Sequence, residues 1–166
     1  MMIFNEIITG LVAYLGLFVG ILLAYFSSEE LKSAKKYFII AKRILFISLF
    51  LIALFYSFGF QYIIFLIAAI ISIVFLFAYH FDTSRLCYGI IAGFLVLTST
   101  SKHIYYFISS LTFLYGMFLA GIYMEPYVKK DNIKIKKTTA MVKVLKRTWF
   151  FPAIFFGLYI LKYSFI

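Results

Sequence analysis

Residues 127–147 read YVKKDNIKIKKTTAMVKVLKR and lie between two apolar runs, 104–124 and 148–166. The stretch carries Lys129, Lys130, Lys134, Lys136, Lys137, Lys143, Lys146 and Arg147 against one acid, Asp131. Each flanking run has the length that crosses a hydrocarbon layer of about 30 Å as a helix. A basic segment between two crossings is retained on the cytoplasmic side. The stretch therefore predicts both the class of fold, helices through a bilayer, and its orientation.

Four more apolar runs precede it, at 3–26, 38–57, 60–81 and 86–100. The first connection and the start of the second run carry Lys32, Lys35, Lys36, Lys42 and Arg43, and the connection between the third and fourth carries Arg85. The alternate connections and the ends hold only Lys102 and Lys162. This alternation predicts an all-α, polytopic membrane protein of six transmembrane helices with both termini outside. The outer turns are short, at Ser57-Phe58-Gly59 and Ser101-Lys102-His103. The 86–100 run is also short and ends in Thr98-Ser99-Thr100-Ser101, so it requires local thinning of the bilayer or shielding by neighbours.

Composition agrees. The chain is 65% hydrophobic and 13% charged, where a soluble domain is near half apolar and a quarter charged. Backbone polar groups in lipid need partners within their own segment, which makes each run a helix. We expect one integral membrane bundle, residues 1–166, with basic cytoplasmic segments at about 27–37 and 127–147. The first run lacks a basic leader and a small-residue cleavage site and reads as a retained span. A single cysteine, Cys87, excludes an intramolecular disulfide and a cysteine zinc site. The net charge of +10 sits at span ends, facing lipid head groups, so nucleic acid is not an expected partner.

Two local features concern the cytoplasmic segments. Ser27-Ser28-Glu29-Glu30 has the spacing of a capping box and predicts a helix that starts there and runs into the second span. Residues 138–147 predict a short basic surface helix with Met141, Val142, Val144 and Leu145 available to enter lipid. The Glu29-Glu30 pair also opens the first motif of intramembrane CAAX-type proteases, but Ala34 stands where that motif needs an Arg, which excludes that class.

Small residues four apart mark helix contacts where lipid gives no hydrophobic drive for association. They occur as Gly16 and Gly20, Gly89 and Gly93, and Gly116 and Ala120, so the first, fourth and fifth spans are expected at the tight centre or at a homodimer face. Spans 1, 3 and 5 end alike, in Ala24-Tyr25-Phe26, Ala78-Tyr79-His80 and Ile122-Tyr123-Met124. Spans 1 and 5 also share a Gly-(Leu/Met)-Phe-(Val/Leu) segment. These similarities read either as a threefold hairpin repeat or as an aromatic belt.

Ionisable residues deep in a membrane are costly and mark function, and here all of them fall near span ends. One candidate polar cluster is Ser99, Thr100, Lys102, His103, Tyr106 and Ser109, suited to an anionic head group or solute. A second, at the inner face, is His80, Asp82 and Arg85. The two histidines fall on opposite sides and cannot share a metal. Ser109, Ser110, Thr112 and Tyr115 give the fifth span a polar face that lines a solute path or bonds within the bundle. Glu6, one turn into span 1, is expected to reach the surface. No catalytic residue, metal or cofactor is predicted. The first functional expectation is an accessory or structural subunit of a membrane complex, in contact with anionic cytoplasmic lipids and with other subunits or its own copies. A small oligomeric transporter or channel for a polar or anionic solute is the second, and a lipid-acting membrane enzyme the third.

Overall fold

The computed structural model describes residues 2–27, 29–58, 84–128 and 133–164. Among these residues the chain forms α1 (Met2–Phe26), α2 (Leu31–Phe58), α3 (Ser84–Thr98), α4 (Lys102–Val128), α5 (Ile133–Thr148) and α6 (Phe150–Ser164), with no strand. The span expected at 60–81 lies outside the described residues.

Among the described residues, four helical stretches are long and apolar enough to cross a membrane: Phe4–Phe26, Leu31–Tyr56, Lys102–Tyr127 and Thr139–Ser164. The last begins well before residue 148, because α5 continues into α6 with a break only at Trp149, and the Ala153 amide still bonds the Trp149 carbonyl at 3.2 Å. In α3 the apolar part is only Cys87–Thr98. At 1.5 Å per residue its 15 residues reach about 22 Å, short of the hydrocarbon thickness.

The start of α2 differs from the capping-box expectation. Helical bonding begins when the Ala34 amide donates to the Glu30 carbonyl at 2.9 Å, and the Ser33 hydroxyl donates to the same oxygen at 2.8 Å. Ser27 instead closes α1, its amide bonding the Leu23 carbonyl at 2.8 Å. The Ser27 carbonyl in turn accepts the Glu30 amide at 3.2 Å.

Helix directions follow from the contacts. α1 and α4 run parallel: Gly16 lies against Phe113, Gly20 against Met117, and the Tyr105 hydroxyl donates to the Glu6 carbonyl at 2.5 Å. α2 runs opposite to α4, with a Lys35–Glu125 ion pair of 3.1 Å near one end and, at the other, Tyr56 bonded to Thr100 beside the start of α4 at 2.6 Å. α6 runs opposite to α1 and along α3. The start of α1 and the end of α6 therefore share one end of the bundle, and the Ser27–Leu31 turn lies at the other.

The core sits between α1, α3, α4 and α6. At its centre the fully buried Tyr88 ring stacks on Phe151 at 4.6 Å and on Tyr115 at 5.7 Å, and Tyr14 stacks on Phe151 at 5.5 Å. Such ring pairs contribute about 0.5–1.5 kcal/mol each beyond their buried area. In contrast, only 11% of the most hydrophobic window of α2 is buried.

Candidate functional site: a basic pocket at one end of the bundle

Near the end of α4, Tyr123 and Tyr127 are four residues apart and so lie on one helix face. On α5, Lys143, Lys146 and Arg147 are likewise spaced to share a face. Between them is a cavity of about 320 Å³ lined by these five residues and Val144. Val144 is 1% exposed and anchors α5 to the bundle with the buried Ala140 and Thr148. The surface-helix expectation is thus corrected for Val144, which packs inward, whereas Met141 and Val142 stay exposed. The stripe Ala140, Val144, Thr148 recurs every fourth residue, which is why α5 docks along it.

The cations are held by aromatic faces. The Arg147 guanidinium lies 4.8 Å from the centre of the Tyr123 ring, and Lys143 Nζ 5.4 Å from that of Tyr127. A cation over a ring is attracted by the negative ring face. No acid is among the described residues lining the cavity. Glu125, between the two tyrosines in sequence, points to the other side of α4, where Lys35 binds it. The described lining of the pocket thus combines three cationic side chains with two tyrosine rings and Val144.

The polar cluster expected near the α3–α4 turn is not gathered into one site. Ser99 is buried, accepts a hydrogen bond from Lys162 Nζ at 2.6 Å and donates to the Val96 carbonyl at 2.7 Å. Thr100 bonds Tyr56. Lys102, His103 and Tyr106 are exposed. Ser109 is buried and its hydroxyl has no hydrogen-bond partner among the described residues. On the same polar face Ser110 and Thr112 donate to the carbonyls of Tyr106 and Ile108 at 2.9 and 2.8 Å. Of the inner-face group, His80 and Asp82 lie outside the described residues, and Arg85 falls in the first turn of α3. Lys129 and Lys130 also lie outside them, whereas Lys134, Lys136 and Lys137 belong to α5.

The glycine motifs lie in helix contacts. A Cβ at Gly16 would collide with the Phe113 carbonyl, and one at Gly20 would come within 2.8 Å of the Ala120 Cβ. On α3, a Cβ at Gly89 would stand 2.7 Å from Ile154 Cδ1 and one at Gly93 3.8 Å from Leu158 Cδ1, so that face meets α6.

Sequence reasoning placed Glu6 at the surface, but Glu6 is 8% exposed. Its Oε2 accepts hydrogen bonds from the Tyr159 hydroxyl and, at 3.2 Å, from the Tyr163 hydroxyl. Gly10, one turn on, lets the Phe155 ring press against the α1 backbone and draws α6 close enough for this. The available signal was the pairing of Glu6 and Gly10 with Tyr159 and Tyr163, each four residues apart.

A second cavity, of about 250 Å³, lies between α1, α2 and α4 and is lined mainly by apolar residues such as Leu31, Phe38 and Phe118. Among the described residues no group of three His, Cys, Asp or Glu side chains is placed to hold a metal ion. No protein-family model, curated protein or solved structure matches the chain.

Proposed function

We propose that this chain is a non-catalytic, multi-pass protein of the cell membrane and serves as an accessory or structural subunit of a membrane complex. The observation that carries this reading is the state of Glu6. The acid inside the bundle is engaged by tyrosines of α6, so its chemistry is spent on holding helices together. The exposed apolar face of α2, with Tyr37, Ile40, Ile44 and Phe55, adds a surface for lipid or a neighbouring subunit. Six spans with both termini outside remain the arrangement that the charge alternation favours. The shared end of α1 and α6 is compatible with it. Purification in native lipids tests the reading: a stoichiometric membrane partner supports it, and a chain that stays alone overturns it.

A small transporter is the second reading. It is favoured by the hydroxyls of Tyr88 and Ser109, which are buried without a hydrogen-bond partner among the described residues and are placed to receive a polar solute or water. A homo-oligomer enclosing a water-filled cavity beside these two residues would support it.

A further inference from the structure

We infer that the pocket between α4 and α5 is a binding site for a phosphate-bearing anionic group. Three observations combine here. Lys143, Lys146 and Arg147 line a cavity of about 320 Å³ with no acid among the described residues of its lining, and ligand cavities begin at about 300 Å³. The cations of Arg147 and Lys143 rest on the faces of Tyr123 and Tyr127, which orders two long side chains toward one point. The pocket also sits at the end of one candidate span, Lys102–Tyr127, and in the first turns of another, Thr139–Ser164. That is the depth of lipid head groups, where basic pockets between helices hold phosphate. A guanidinium offers paired donors that match phosphate oxygens, with the two lysines adding point charges.

The ligand is either the head group of an anionic lipid or a soluble phosphate ester, the shared chemistry being the phosphate. The assignment to the cytoplasmic leaflet rests on the orientation proposed above, but the site itself does not.

The full chain is reconstituted in phosphatidylcholine nanodiscs with and without phosphatidylglycerol, and lipid retained per protein is read by native mass spectrometry. Preferential retention of phosphatidylglycerol by the wild type is expected. Lys143→Gln and Arg147→Gln should each lower it by about fivefold, and Lys36→Gln, at an exposed lysine on α2 outside the pocket, should lower it clearly less than either. Arg147→Lys, which keeps the charge but loses the paired donors, should fall between the wild type and Arg147→Gln, which separates lost charge from lost fold. In a parallel arm, glycerol phosphate is titrated into phosphatidylcholine-only nanodiscs. Saturable binding lost in the Gln variants, without a preference for phosphatidylglycerol, identifies a soluble ester as the source. Equal retention of both lipids with no binding of glycerol phosphate overturns the site. So does a preference that survives in the Lys143→Gln/Arg147→Gln double variant.

Discussion

Gly16 and Gly116 meet at the crossing of two parallel helices. A Cβ on Gly116 would stand 3.4 Å from the Gly16 carbonyl carbon and 3.0 Å from the Leu17 amide nitrogen. Backbone thus lies on backbone, an approach that side chains would prevent. The like segments at 16–19 and 116–119 are brought together here.

Substitutions along this crossing should be graded by space. Gly116→Ala should cost about 1–3 kcal/mol, the range for overpacking, and Gly20→Leu should reduce folded yield outright. Phe18→Leu, at a half-buried ring beside Tyr14, should have little effect. Gly157→Ala meets nothing within 4 Å and should be neutral or gain up to about 1 kcal/mol. Thermal unfolding in one detergent ranks the four, and equal effects at Gly116 and Gly157 would show that the α1–α4 contact is not tight.

Glu6 and Tyr159 should be energetically coupled. A hydrogen bond to a charged group contributes about 1.5–3 kcal/mol, so Tyr159→Phe and Glu6→Leu should each lower stability by that order. The double variant should cost less than the two together by more than about 0.5 kcal/mol. Additive losses in a double-mutant cycle would mean the two side chains do not interact.

The Tyr88 hydroxyl is buried with no hydrogen-bond partner among the described residues, and leaving such a group unpaired costs about 1–3 kcal/mol. Tyr88→Phe keeps the ring stack and removes that cost, so the variant should unfold at a higher temperature than the wild type. A loss of stability would reveal a bound water or solute at this position.

Orientation can be read by labelling. A cysteine at Lys134 should react only from the cytoplasm, and one at Lys102 only from outside. Cys87 is buried, so the native thiol should not obscure the readout. The reverse pattern would sink the proposed orientation.

The sequence pattern disclosed the described helices, the small-residue faces on which α1 and α4 meet and the basic segment, because each is carried by periodicity, small-residue spacing or charge. The α5–α6 join and the Glu6 network were not legible. Both depend on which faces meet across the bundle: Val144 turns inward because Ala140 and Thr148 share its stripe, and Glu6 is buried because Gly10 admits Phe155. Single-helix patterns do not encode such pairings between distant segments. The pocket was half legible, since its lysines were evident, whereas Tyr123 was read only within a repeat or an aromatic belt and Tyr127 was given no role.

The parallel pairing of α1 with α4 also sets an order for biogenesis. The two helices that touch most closely are separated by about 100 residues, so at roughly 5–20 residues per second α1 waits on the order of 5–20 s for its mate. During that interval the groove at Gly16 and Gly20 must be shielded by lipid or by the insertion machinery. A nascent chain arrested before Lys102 should therefore remain a substrate for quality-control proteases, however well its first helices have entered the bilayer.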